Sequence, residues 1–202
     1  MKIAIFVYQG FDELDAIGPY EVLRNAGKAE VELLTMAESK AVTGSHGLRV
    51  IPQATLEDGP FDVVIVPGGG WNDRADAGAY AEVRRGELPA AVRRLHDGGA
   101  VVASVCTGAM LLSAAGLLRG RPATTHHGAL KELRDAGTEV VEARVVDDGD
   151  LLSCGGVTSG IDLALWLIER EWGAELANDV AAEMEHPRST SIWRSSVEGL
   201  SS

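Results

Sequence analysis

Apolar and polar positions along this chain switch repeatedly between a period of two and a period near 3.6, and each switch marks a change between strand and helix. Residues 2–7 (KIAIFV) and 61–66 (FDVVIV) are near-continuous apolar runs, the pattern of strands covered on both faces. Residues 30–36 (EVELLTM) alternate as a strand, 48–51 predict a short one and 100–103 (AVVA) another buried one. Residues 15–26 read as a helix with Pro19 in its first turn, where a missing N–H costs little. A helical stretch over 79–96 is expected to break near Pro89, and 107–115 (TGAMLLSAA) sets Met110, Leu111 and Ala114 on one helical face. Residues 123–125 are β-like, 139–146 alternate, and 151–153 return as a strand across an Asp147-Asp148-Gly149-Asp150 hairpin turn. Residues 157–169 are the most helical segment, with Thr158 or Ser159 placed to cap it, and 175–185 form a last helix halted by His186-Pro187. The stretch 186–202 carries four serines in its last eight residues and reads as a fraying tail.

Strands alternating with helices predict a mostly parallel sheet between helix layers, with ligands expected at the carboxyl ends of the strands. A length of 202 residues with 46% hydrophobic content fits one such domain over residues 1–185, followed by the tail 186–202. The apolar run at the start is too brief for a signal peptide or a membrane span, so a cytoplasmic protein is expected. The two cysteines, Cys106 and Cys154, do not form the spaced framework of small secreted domains. A net charge of −12 excludes nucleic acid and anionic membrane as principal partners, since both need a concentrated basic footprint. The basic pairs Arg84-Arg85 and Arg93-Arg94 lie among acids on one helical pattern and read as a solvated face.

Three segments bring polar chemistry to the carboxyl ends of strands: the loop 8–18, the Gly68-Gly69-Gly70 loop, and Ser104-Val105-Cys106-Thr107-Gly108. The last places a cysteine where an apolar strand turns into a helix. So tight a turn requires small residues two before and two after the displayed side chain, and Ser104 and Gly108 satisfy this, as in a nucleophile elbow. A helix N-terminus is expected to lower the thiol pKa. The alternative for Cys106 is a buried structural cysteine. Gly68-Gly69-Gly70 lacks the spacing of a phosphate cradle and any following lysine, so its expected use is close approach of backbone N–H groups to a reacting atom. Asp15 reads either as an active-site carboxylate or as an ordinary helix cap. His126 and His127 invite a metal reading, but neighbours in an extended segment point oppositely and no histidine makes a ligand spacing with a cysteine, so no metal is expected.

Three stretches together resemble the ThiJ/PfpI superfamily: residues 14–23 (LDAIGPYEVL), 105–108 (VCTG) running on to 120–126 (GRPATTH), and 155–165 (GGVTSGIDLAL). The resemblance implies a flavodoxin-like sandwich, a homodimer, and a cysteine nucleophile at Cys106. Within the superfamily the stretches are similar to the branch of isonitrile hydratases and of ligand domains in certain AraC-like regulators, where an aspartate, here Asp15, faces the thiol. Thr107 stands where PfpI-type peptidases have histidine; deglycases of the parkinsonism-associated branch carry glutamate at the place of Asp15 and alanine after the cysteine. Class I glutamine amidotransferases need a C-terminal His-Pro-Glu, whereas this chain has His186-Pro187-Arg188. Hydratase relatives commonly have tryptophan where this chain has His127. The resemblance then implies hydration of an isonitrile to an N-substituted formamide without a cofactor. On that reading Cys106, Asp15 and Thr107 are expected as the catalytic residues, the N–H groups of Gly69 and Thr107 as the charge stabilisers, and Gly70, His126 and His127 as the pocket around a small-molecule substrate. The alternatives are a glyoxalase- or deglycase-like reaction with His126 as proton shuttle, a PfpI-like hydrolase, and a non-catalytic small-molecule sensor.

Overall fold

A computed structural model describes residues 1–38 and 41–195. In chain order the strands are β1 (Lys2–Phe6), β2 (Glu30–Thr35), β3 (Val42–Thr43), β4 (Arg49–Val50), β5 (Ala54–Thr55), β6 (Val63–Val66), β7 (Val101–Ser104), β8 (Pro122–Ala123), β9 (Glu139–Val140), β10 (Val145–Asp147), β11 (Leu151–Cys154) and β12 (Ile192–Arg194). The helices are α1 (Glu13–Ala26), α2 (Ala79–Arg85), α3 (Glu87–Asp97), α4 (Gly108–Ala114), α5 (Leu130–Asp135), α6 (Ser159–Trp172) and α7 (Ala174–Glu183). An eight-stranded sheet runs in the order β12-β10-β11-β7-β6-β1-β2-β5. From β11 to β5 all neighbours are parallel, while β10 pairs antiparallel with β11 across the expected hairpin. Helices α1, α6 and α7 pack together as one layer and α2, α3, α4 and α5 as the other. This is the flavodoxin-like α/β sandwich. The apolar runs of β1 and β6 are buried along almost their whole length because both sheet faces are covered. After β1 the chain fills one side of the sheet with β2 and then crosses to the other with β6, so a crevice opens above the carboxyl ends of β1 and β6.

Several local expectations are corrected. The helix over 79–96 breaks at Gly86, not at Pro89: Gly86 adopts φ 79° and closes α2 with its N–H on the Glu82 carbonyl, whereas Pro89 falls in the first turn of α3, where no N–H is needed. Helix α1 starts two residues earlier than expected, so Pro19 lies in its interior and the Asp15 carbonyl loses its usual helical donor. Pro19 is retained as a packing surface, lying directly against Gly160 of α6. The alternating stretch 139–146 is divided between β9, which pairs with β8 in a separate small sheet, and β10. Thr158 occupies the N-cap position of α6 but makes no capping bond; its hydroxyl accepts from Arg144 instead.

The expected fraying of the tail fails for its first part. Ile192–Arg194 joins the main sheet parallel to β10, and Asp162 accepts from Ser189 N–H and pairs with His186 at 3.2 Å. The rest of the serine-rich stretch, 196–202, lies outside the described residues. No helix among the described residues is long and apolar enough to cross a membrane.

Candidate active site

The Cys106 elbow is held by bonds on both sides of the turn. Val105 N–H donates to the Val66 carbonyl at 3.0 Å, Cys106 N–H to the Gly155 carbonyl at 3.0 Å, and the Thr125 hydroxyl to the Cys106 carbonyl at 2.8 Å. These contacts hold Cys106 at φ 56°, a left-handed conformation that costs a non-glycine residue on the order of 1–3 kcal/mol. Gly108 must be small because a Cβ there would run into the Val66 carbonyl. The side chain so displayed is 6% exposed, and the N–H groups of Val157 and Thr107 both donate toward its sulfur. Val157 achieves this with φ 35°, a second strained position facing the first. Cys154, at the end of β11, is fully buried.

Asp15 is drawn into the same crevice by the start of α1. Asp12, not Asp15, caps that helix, accepting from Leu14 N–H at 3.2 Å; the capping alternative for Asp15 is therefore corrected. Asp15 lies three residues on, where the helix turns it inward, and is 0% exposed. Its Oδ2 accepts from Gly68 N–H at 2.9 Å, while Oδ1 has no hydrogen-bond partner among the described residues. The loop after β6 approaches closely enough for this bond because Gly68 has no side chain: a Cβ would lie 2.6 Å from the Thr107 nitrogen. Tyr8, at the end of β1, donates its hydroxyl to the Pro67 carbonyl at 2.5 Å and fixes the loop from beneath.

Burial dominates the electrostatics. It pushes the Asp15 carboxyl well above the usual range, and the Asp12 charge adds to the rise, outweighing the Gly68 N–H and the contact with the Cys106 thiol. Burial first, and the Asp15 charge second, push the Cys106 thiol up to about 12, against the pull of the Val157 and Thr107 N–H groups. The expected lowering by a helix terminus is overturned: α4 is only seven residues long, and desolvation of the sulfur outweighs its partial charge. Asp15 has no cationic partner among the described residues, so burial favours its protonated form more than it would that of an exposed aspartate. When Asp15 carries its proton, the second cause of the thiol's rise is removed, leaving desolvation opposed by two N–H donors. The site thus places a carboxyl whose protonated form burial favours beside a thiol that ionises when a proton acceptor is offered.

The remaining expected residues are distributed around this pair. Thr107 is buried in the elbow, and its hydroxyl accepts the Gly69 N–H at 3.0 Å. Gly69 is therefore engaged with a side chain and does not present a free N–H, a correction to its expected role; the donors aimed at the sulfur come from Thr107 and Val157. Gly70 lines a neighbouring cavity with Gly10, Thr43, Ser45 and Ala77. His126 lies against Gly156, accepts the Gly128 N–H at Nδ1 (3.1 Å), and stacks on His127 with ring centroids 4.1 Å apart. Burial, with His127 next, lowers its pKa, so the ring is neutral with its proton on Nε2. His127 is exposed and borders a cavity shared with Thr125, Arg144 and Gly155. Gly68, Tyr8 and Val157 are absent from the sequence-based set. Tyr8 and Gly68 belong to loops already suspected, with Gly68 supplying the backbone N–H expected of its glycine run, whereas the N–H group of Val157 leaves no side-chain signature. Among the described residues no three His, Cys, Asp or Glu side chains gather as a metal site.

An isonitrile hydratase of Pseudomonas putida is 36% identical over 187 residues, covering 92% of this chain and 78% of that protein. A deglycase of Pyrococcus horikoshii is 32% identical over 173 residues, 84% of this chain and 96% of the relative. The crystal structure of a ThiJ/PfpI family protein from Pseudomonas syringae superposes with a TM-score of 0.83 at 30% identity, covering 94% of this chain and 76% of the other. The DJ-1/PfpI family profile matches residues 1–170, and the chain belongs to the DJ-1/PfpI family.

Proposed function

We propose that the protein is a cysteine-dependent isonitrile hydratase that converts an isonitrile and water to an N-substituted formamide. The observation that carries this reading is the Asp15 carboxyl, buried so that its protonated form is favoured and with Oδ1 unpartnered among the described residues, beside the Cys106 thiol. The isonitrile carbon bears a lone pair and accepts a proton, then becomes electrophilic. Asp15 gives its proton to that carbon, the Cys106 sulfur bonds to it, and the thiol proton passes to the Asp15 carboxylate, leaving a thioimidate on Cys106. Asp15 next protonates the imine nitrogen and takes a proton from the water that adds to the carbon. The carbon–sulfur bond then breaks, the sulfur recovers the hydroxyl proton, and the formamide leaves. The N–H groups of Thr107 and Val157 stabilise charge on sulfur during both steps. No cofactor enters this sequence of steps.

The identity to the P. putida hydratase and the Asp15–Cys106–Thr107 combination support this reading over a Cys-His hydrolase. The test is incubation with cyclohexyl isonitrile and, separately, with methylglyoxal, using wild type and Cys106→Ala and following formamide or hydroxyacid by proton NMR. Formamide formed by wild type alone supports hydration. Turnover of methylglyoxal alone favours the glyoxalase-like reaction, to which the deglycase relative and the neutral His126 lend support. Binding without turnover of either reagent favours a sensor.

A further inference from the structure

Val157 belongs to two sites at once. Its N–H reaches the Cys106 sulfur, and the residue also lines an open cavity of about 540 Å³ together with Asp12, Glu13, Leu14, His46 and Leu48. The cavity therefore adjoins Val157, the residue whose N–H meets the sulfur, and extends along the first turn of α1 to the β3–β4 hairpin. Its apolar wall is made of Leu14 and Leu48, which are 38% and 48% exposed. Large apolar side chains left in water beside a reactive thiol gain free energy when a ligand covers them.

The polar groups of the cavity define what that ligand is. Glu13 is fully committed to the hairpin: Oε1 accepts the N–H groups of His46 and Leu48, and Oε2 accepts from Ser45 Oγ and pairs with His46 Nδ1 at 2.7 Å. It shapes the wall and has no oxygen left for a ligand. Asp12 is different. No ion pair engages it among the described residues, and its charge acts on Tyr8, Asp15, Cys106, His46 and His126 alike. An anionic group entering past this carboxylate meets repulsion that a neutral one does not.

We infer that the Leu14–Leu48–Val157 cavity receives the substituent of the substrate whose reacting carbon lies at Cys106. It selects an uncharged apolar group, such as a branched or cyclic alkyl chain, and rejects carboxylates through Asp12. For its natural substrate this rests on the isonitrile reading, so the test reads the thiol directly and needs no turnover. Alkylation rates of Cys106 are measured with N-ethylmaleimide, N-cyclohexylmaleimide, iodoacetamide and iodoacetate in wild type, Leu48→Ala and Asp12→Asn, each rate divided by that of free cysteine. Leu48 is half exposed and asparagine caps helices as aspartate does, so both variants fold.

The expected result is a preference for the cyclohexyl over the ethyl reagent that falls by about fivefold in Leu48→Ala. In Asp12→Asn the iodoacetate to iodoacetamide ratio rises by about fivefold, the order expected on removing one nearby unit charge. Unchanged ratios in both variants overturn the inference, including the case in which a second copy of the chain covers the cavity. If the ratios shift as expected while cyclohexyl isonitrile is not hydrated, the cavity assignment stands and the hydratase reading falls. If isonitriles are hydrated but these ratios do not move, hydration stands and the cavity assignment falls.

Discussion

Replacing Asp15 by asparagine separates a catalytic acid from a structural carboxylate, because the two roles move stability and activity in opposite directions. In the folded protein the Asp15 pKa is raised above its ordinary value of 3.8, chiefly by burial. Between 3.8 and the raised value the folded state keeps a proton that the unfolded chain releases, so folding is disfavoured increasingly as pH rises. Each pH unit within that interval costs the native state about 1.4 kcal/mol. Asparagine carries no such penalty, and its side-chain oxygen still accepts the Gly68 N–H that Oδ2 now accepts. Urea unfolding of both proteins at half-unit steps from pH 4 to 7 therefore gives a stability difference that grows in favour of Asp15→Asn with a slope near 1.4 kcal/mol per unit for as long as the pH stays below the raised value. Turnover of whichever substrate is found falls by about 10²–10⁴, the usual worth of general acid–base transfer. A flat stability difference refutes the raised pKa, and wild-type turnover by the variant refutes Asp15 as the acid, leaving His126 as the next candidate.

Mild alkylation at neutral pH followed by peptide mapping labels Cys106 before Cys154, since Cys154 is fully enclosed and burial raises its pKa as well; the reverse order removes Cys106 as the nucleophile. Gly108→Ala forces a methyl group against the Val66 carbonyl and lowers unfolding free energy by about 1–3 kcal/mol, read by urea titration; an unperturbed midpoint contradicts the packing of the elbow. The Glu13–His46 pair gives the β3–β4 hairpin a pH window. Glu13, held at about 2 against its ordinary 4.5, contributes fully above 4.5 and loses its contribution as pH falls toward 2. His46, raised above 6.5, contributes fully below 6.5 and loses it as pH rises through the raised value. Hydrogen exchange of the Ser45 and Leu48 amides is accordingly slowest between about pH 4.5 and 6.5 after correction for intrinsic rates, and Glu13→Gln abolishes the window. A homodimer is the expected assembly, and sedimentation at micromolar concentration that finds only monomer rejects it.

The sequence features that proved readable are those whose cause is local. Small residues flanking Cys106 announce a tight turn because the backbone itself clashes otherwise, and Gly108 against the Val66 carbonyl is that clash in place. The apolar runs of β1 and β6 announce a sheet covered on both faces, from which the crevice follows. The three acids Asp12, Glu13 and Asp15 were not separable in this way. One caps α1, one ties the β3–β4 hairpin and one enters the crevice, and the assignments depend on Leu14, His46 and Gly68, the last of them 53 residues away from Asp15. Ile192–Arg194 likewise looked like tail because a three-residue edge strand is defined by its partner β10 and not by its own pattern.

The titration of Cys106 shows most clearly where local reasoning stops. A helix N-terminus favours thiolate, but α4 has only two turns, and 94% of the cysteine's surface is removed from water, so desolvation decides the sign. That sign constrains the chemistry. A thiol held largely protonated at rest gains little from standing thiolate character and must lose its proton during the reaction to a group already in place. In the proposed hydration Asp15 qualifies only after it has given up its own proton to the substrate, so that proposal orders the first step as protonation of the reacting carbon and then attack by sulfur. The strained backbones of Cys106 and Val157 serve that order by keeping two N–H donors aimed at the sulfur before any charge appears there, so the anion forms in a setting that needs no rearrangement to receive it.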